Sequence, residues 1–100
     1  MANVQNEKAQ TPLHFAARGG HADAVFLLLS KGGNANGVDA KGQTAMHYAC
    51  AKQHCEAVQI LVEEGKGDAN IVDADGNTPL AISKKKKDKK TILYLEMLTC

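Results

Sequence analysis

The tetrapeptide TPLH at residues 11–14 returns as TAMH at residues 44–47 and as TPLA at residues 78–81. Successive copies therefore begin 33 and then 34 residues apart. A period in this range is typical of a stacked-repeat protein, in which each unit buries its apolar side against its neighbours. Such an assembly presents a long, ribbed surface, which favours binding over catalysis.

The composition indicates one domain, which we place at residues 1–100. The 12 basic and 11 acidic side chains give a formal charge of +1, which argues against a general polyanion binder. The longest apolar run, residues 24–29, is far shorter than the roughly 20 residues that a membrane span needs. Residues 1–5 lack the charged start and apolar stretch of a secretory signal.

The three cysteines, Cys50, Cys55 and Cys100, are an odd number and do not suggest a disulfide framework. Free thiols of this kind are typical of a reducing compartment. Together with the missing secretory signal, they predict a cytoplasmic and possibly nuclear protein.

Each repeat begins with a turn at Asn6, Asp39 or Asp73, and Gly42 and Gly76 occupy one later position of that turn. An Asx side chain can accept hydrogen bonds from the turn backbone, and glycine adopts a positive φ without steric cost. The threonine that follows can cap a helix, and proline suits the first helical position. The pattern therefore predicts a hairpin tip followed by a helix in each unit.

Two helices are predicted in each unit. The first helices span about 12–18, 45–52 and 79–86, where Leu13, Phe15 and residues 16–17 form a face suited to close stacking. The second helices span about 22–30, 56–64 and 89–98, and their inward stripe comprises Val25, Leu28, Leu29, Val58, Leu61, Val62, Ile92 and Leu95.

The repeating helix pairs resemble the ankyrin repeat. Its best matches are TPLHFAA at 11–17 with GH at 20–21, GQTAMHYA at 42–49 and DADGNTPL at 73–80. The resemblance implies an all-α ankyrin-repeat α-solenoid of three helix-turn-helix units joined by hairpin loops. It also implies that the motif histidines bond to the backbone across the stack.

The unit boundaries fall at about 6–38, 39–72 and 73–100, and residues 1–5 align with the tail of a preceding unit. We therefore expect a longer parent protein.

An extra residue within 63–70 predicts a bulged loop. Gln53 and Lys87 replace the glycine expected between helices, at a cost of about 1 kcal/mol each in the left-handed conformation. Ala9 replaces the turn glycine of the first unit.

The resemblance assigns partner binding to the hairpin tips and to the inner face of the first helices. Three of these positions, residues 40, 51 and 74, hold alanine, and the others hold polar or charged side chains. Because basic residues outnumber acidic ones there, we expect a protein partner with acidic side chains; alternatively, the chain only stacks within a longer array. The predicted partner-binding residues are Glu7, Lys8, Gln10, Arg18, Lys41, Gln43, Lys52, Asp75, Asn77, Lys85 and Lys86.

No catalytic or metal-binding arrangement is evident. His14 and His47 occupy equivalent repeat positions, too far apart to share a metal ion, although His47, Cys50 and His54 could converge locally. No nucleophile, general base and carboxylate recur at catalytic spacing, and no glycine-rich segment resembles a phosphate cradle. We therefore predict no enzyme activity, cofactor, metal or small-molecule substrate.

Residues 84–90 hold six lysines in seven positions. This run suits a solvated face, a nuclear-import or acidic-partner patch, or a contact with nucleic acid or anionic lipid. The absence of interleaved aromatic residues, and the single arginine of the chain, Arg18, argue against nucleic acid.

One modification follows from the resemblance alone. Asn36 closes its unit eight residues after Leu28, which looks like the context that asparaginyl hydroxylase recognises in ankyrin repeats. We therefore predict that Asn36 can be hydroxylated.

Taken together, the sequence predicts a protein–protein interaction module, either a monomer or part of a longer chain. One alternative is a regulatory or targeting segment of a larger enzyme or lipid-binding protein. Another is binding of nucleic acid or an anionic membrane through residues 84–90.

Overall fold

The computed structural model describes residues 5–98, and within them every regular element is an α-helix. The predicted all-α architecture is therefore confirmed. The third helix ends at residue 51 rather than at the predicted 52, next to the turn that contains the left-handed Gln53, and the fourth helix spans 55–63 rather than 56–64. The helices are α1 (Pro12–Arg18), α2 (Ala22–Ser30), α3 (Ala45–Ala51), α4 (Cys55–Glu63), α5 (Pro79–Lys86) and α6 (Lys89–Leu98).

The first helix of each unit begins at a threonine cap. The side chains of Thr11, Thr44 and Thr78 accept a hydrogen bond from the backbone N–H three residues later. In α1 and α3 that later residue is His14 or His47, whose Nδ1 accepts from the threonine N–H at 3.1 Å. These reciprocal bonds satisfy backbone donors that a helix start leaves free.

The six helices form two layers. Helices α1, α3 and α5 pack side by side in one layer, and α2, α4 and α6 pack side by side in the other. A continuous core between the layers includes Leu13, Met46, Val58, Leu61 and Leu95, none more than 1% exposed. This stacking of helix pairs is the predicted α-solenoid.

Phe15 departs from the predicted packing of α1. Leu13, Ala16 and Ala17 are buried, but Phe15 is 40% exposed. Its counterparts one and two repeats later, Tyr48 and Ile82, are each only 8% exposed because the preceding helix pair covers them. Phe15 lies at the end of the stack, where the described residues provide no such cover.

The backbone between helices follows one geometry in all three units. Gly20 has a φ of 71°, and its counterparts Gln53 and Lys87 have φ values of 61° and 58°. Both substitutions therefore occupy the left-handed region, as predicted. At the hairpin tips Ala9 also adopts a left-handed φ of 61°, and Lys66 adopts 53° in the loop that carries the extra residue.

Replacing Lys87 with glycine is expected to raise the free energy of unfolding by about 1 kcal/mol, since glycine adopts a left-handed φ without steric cost. Urea unfolding would measure the change. The matched control is Lys85→Gly within α5, which is expected to lower stability by about 1 kcal/mol. A loss of stability in the Lys87 variant as well would show that its conformation carries no strain.

Candidate functional site

The hairpin turns share one set of hydrogen bonds. Oδ1 of Asn6, Asp39 and Asp73 accepts from the backbone N–H groups two and four residues later, at 2.9 to 3.0 Å. Each side chain thus closes its own turn, as expected for Asx residues. The turn residues that follow are therefore held in a fixed conformation.

Neighbouring turns are also bonded to one another. The N–H of Ala40 donates to the carbonyl of Lys8, and the N–H of Ala74 donates to the carbonyl of Lys41, both at 2.9 Å. These bonds run from each unit to the one before it. They arrange the tips as a continuous row along one side of the solenoid.

The motif histidines link α1 and α3 to the hairpin turn of the next unit by hydrogen bonds. Because Nδ1 of each ring accepts from a backbone N–H, Nε2 carries the proton. Nε2 of His14 donates to the carbonyl of Gln43 at 2.8 Å, and Nε2 of His47 donates to the carbonyl of Asn77 at 2.9 Å. These are the bonds across the stack that the sequence resemblance implied.

A groove of about 460 Å³ lies between the turns and first helices of the first two units. Six predicted site residues line it, whereas the other five, Glu7, Asp75, Asn77, Lys85 and Lys86, do not. We call it the inner groove. Its lining comprises Lys8, Gln10, Arg18, Asp39, Ala40, Lys41, Gln43, His47, Tyr48, Ala51 and Lys52.

Tyr48 is the main residue of the inner groove that the sequence reasoning missed. Its position is occupied by Phe15 and Ile82 in the other units, so the pattern predicts only an apolar contact. In the structure Gln10 Nε2 donates to its hydroxyl at 2.7 Å, and the hydroxyl donates to Asp39 Oδ2. The Tyr48 ring also meets His14 edge to face, with 4.9 Å between centroids.

This network fixes the charge states in the groove. Burial of the Asp39 carboxylate opposes ionisation, but hydrogen bonds from Tyr48, Gln43 and Lys41 together hold its pKa below the usual value. Burial and the bond to Asp39 raise the pKa of Tyr48. At neutral pH the groove therefore holds an ionised carboxylate whose two oxygens already have donors.

Four basic side chains surround this network. Lys8, Arg18, Lys41 and Lys52 are exposed, and within residues 5–98 none of them lies within ion-pair distance of a carboxylate. The Arg18 guanidinium lies 5.1 Å from the centroid of the Phe15 ring, which favours one orientation of the cation. The groove can therefore accept carboxylates from outside the described chain.

The remaining predicted residues are dispersed. Glu7 and Asp75 are exposed at the tips, and Lys85 and Lys86 are exposed on α5. Lys84, at the start of the lysine run, lies 3.7 Å from Glu96. Asn36 is exposed, and its Oδ1 accepts from the N–H of Asp68 at 2.6 Å; its hydroxylation stays a prediction.

Three further observations bear on the chemistry of the chain. Within residues 5–98 no three His, Cys, Asp or Glu side chains are placed to hold a metal ion, and no helix there has the length and hydropathy of a membrane span. Cys50 and Cys55 are buried free thiols, and burial raises the pKa of Cys50 to about 12. Cys100, and nearly all of the predicted tail at 1–5, fall outside the described residues.

The stability of the fold is expected to decrease as the pH falls below about 6.5, the usual pKa of histidine. Burial lowers the pKa of His47, against opposing contributions led by the bond to Asn77. The unfolded chain then takes up a proton at a higher pH than the folded chain, so the His47 contribution is complete above that value. Urea unfolding at about pH 7.5 and about pH 5 would measure the loss. A His47→Gln variant should show a smaller loss, and equal stability of the native chain at both pH values would contradict this prediction.

Comparison with known families identifies the architecture. A family model described as ankyrin repeats, in 3 copies, matches residues 1–73. No curated protein matches the chain. Helices α5 and α6 extend the same pairing beyond the matched residues. Ankyrin repeats are in general protein–protein interaction modules and are typically non-catalytic. Since the match covers most of the chain and the helix pairs stack in register, the chain belongs to the ankyrin-repeat family.

Proposed function

We propose that this chain binds a protein partner through the inner groove, and that the partner places acidic side chains there. The observation that carries the proposal is the set of four basic side chains without a carboxylate partner in residues 5–98. The one carboxylate in the groove lining, Asp39, is already engaged by Tyr48 and the turn backbone. The partner would therefore supply the missing negative charge.

The rigidity of the groove supports this role. The turns are closed by their own Asx side chains and are bonded to one another, so Lys8 and Lys41 project from fixed backbone. Binding to a preformed surface costs less conformational entropy than binding to a mobile loop. Arg18, positioned over Phe15, can hold a carboxylate with two hydrogen bonds, whereas the lysines act as point charges.

We further propose that binding requires no catalysis and takes place in the cytoplasm or nucleus, by a monomer or by this segment of a longer chain. The buried free thiols of Cys50 and Cys55 support a reducing compartment. The described fold provides interaction surface and hydrogen-bonded turns, which suit recognition rather than turnover.

The proposal is tested by affinity capture from a cell lysate with three forms of the chain, followed by quantitative mass spectrometry. The wild type is compared with Lys41→Glu/Lys52→Glu, which reverses two charges of the groove. The control is Lys31→Glu/Lys66→Glu, which makes the same charge change at two exposed residues outside the groove. We expect at least one protein to be captured by the wild type and the control and reduced about tenfold or more by the groove variant.

The salt dependence of that interaction provides a second readout. Binding should weaken as the ionic strength rises, because the attraction depends on exposed charges. If the groove variant and the control lose the same proteins to the same extent, general charge rather than the groove governs capture. That result would contradict the proposed site.

A further inference from the structure

The outer face of α6 combines lysines with exposed apolar side chains. Lys89, Lys90, Leu93 and Met97 follow one another at positions that share one side of a helix. Leu93 is 63% exposed and Met97 is 73% exposed. We define the basic-apolar patch as Lys89, Lys90, Leu93 and Met97.

The opposite face of α6 fixes the direction in which this patch points. Thr91 and Leu95 are completely buried against the solenoid. The Tyr94 hydroxyl donates to Glu63 of α4 at 3.0 Å, which ties one flank of the helix to its neighbour. Leu93 and Met97 are therefore not needed for the core, and their exposure follows from the docking of α6 itself.

The two acidic side chains of this segment are engaged locally. Both carboxylate oxygens of Asp88 accept from Thr91, at 2.6 Å from its hydroxyl and 3.5 Å from its N–H. Glu96 lies 3.7 Å from Lys84, which is not part of the patch. Neither of the two patch lysines makes an ion pair with a carboxylate within residues 5–98.

The equivalent faces of α2 and α4 carry different side chains from that of α6. In α4 the positions of Lys90, Leu93 and Met97 are taken by polar or acidic residues, and in α2 they begin with an acidic one. The combination of positive charge with protruding aliphatic side chains is therefore a feature of α6 and not of the repeat. The residues concerned are Glu56, Gln59 and Glu63 in α4, and Asp23, Phe26 and Ser30 in α2.

We propose that the basic-apolar patch binds the surface of an anionic membrane rich in phosphatidylserine. Lysine ammonium groups are attracted to the negative headgroup layer, and Leu93 and Met97 can enter the boundary with the acyl chains. Nucleic acid would use the lysines but leave the aliphatic side chains in water, and the patch offers no aromatic ring for base stacking. The two kinds of side chain together therefore favour a lipid surface.

Vesicle flotation tests the proposal with the full chain. The probe is phosphatidylserine in phosphatidylcholine vesicles, compared with pure phosphatidylcholine vesicles and with duplex DNA. Two patch variants separate the contributions: Lys89→Gln/Lys90→Gln removes charge, and Leu93→Ala/Met97→Ala removes apolar surface while retaining helix propensity. The control, Lys31→Gln/Lys66→Gln, removes the same charge from residues outside the patch. Circular dichroism checks the helix content of each variant.

We expect the wild type to float only with the anionic vesicles. The charge variant should bind about 25-fold more weakly, at about fivefold for each lysine. The apolar variant should bind about tenfold more weakly, and the control should change about twofold or less. Equal flotation with neutral vesicles, an equal loss in the control, or unchanged binding by the apolar variant would overturn the proposal. Tighter binding to duplex DNA than to anionic vesicles would also overturn it.

Discussion

Replacing His47 with alanine is expected to lower the free energy of unfolding by about 2 to 4 kcal/mol. The ring is completely buried, accepts from the N–H of Thr44 and donates to the carbonyl of Asn77 in the next unit. The substitution leaves the Thr44 N–H without its partner and removes one of the two bonds that the Asn77 carbonyl accepts, the other coming from the Asp73 N–H. A buried polar group without a hydrogen bond costs about 1 to 3 kcal/mol, and the loss of a further bond adds about 0.5 to 1.5 kcal/mol. Because domains of this size are stable by about 5 to 15 kcal/mol, the loss is a large fraction of the total.

Urea unfolding monitored by circular dichroism would measure this loss. The matched control is His21→Ala, because His21 is exposed and its side chain makes no cap hydrogen bond at the start of α2. The control should change stability by about 0.5 kcal/mol or less. Equal effects of the two substitutions would mean that the bonds across the stack contribute little to the fold.

The second large effect is expected from Leu61→Ala, at about 2 to 5 kcal/mol. Leu61 has no exposed surface and belongs to the core shared by the two helix layers. Truncation removes apolar contacts and leaves a cavity that the packed neighbours fill only in part. Since each unit of a solenoid is stabilised by its neighbours, we expect the loss to lower the stability of the whole stack.

Leu27→Ala is the control for this prediction. Leu27 lies on α2 and is 55% exposed, so its truncation removes the same atoms from a largely solvated site. We expect a change of about 1 kcal/mol or less. Thermal or urea unfolding of both variants gives the comparison. A cost for Leu27→Ala equal to that for Leu61→Ala would contradict the assignment of the core.

The fold could be predicted from the sequence because the same local signals occur three times. The threonine caps, the Asx turns and the apolar spacing each indicate the same helix pair, and four of the six helices have the predicted bounds. Even Gln53 and Lys87 adopt the geometry of the glycine they replace. In a repeat the packing environment recurs, so it can impose a left-handed backbone on a residue that does not prefer it.

The site was predicted less completely because it depends on distances between units. From the repeat spacing, Asp75 and Asn77 of the third turn were expected to share one binding site with residues of the first two turns. The groove is lined only by residues of the first two units. Tyr48 was missed because its hydroxyl contacts residues of two turns, which no local pattern encodes. The exposure of Phe15 was missed for the opposite reason, since the repeat pattern assumes a neighbour on both sides.

The most direct test of the inner groove as the binding site is an NMR titration of the isotope-labelled chain with the protein that the lysate comparison identifies. We predict that backbone shift changes cluster at Lys8, Arg18, Lys41, Tyr48 and Lys52, which line the groove. Changes that cluster instead on the outer helices α2, α4 and α6, with the groove amides unaffected, would contradict the account.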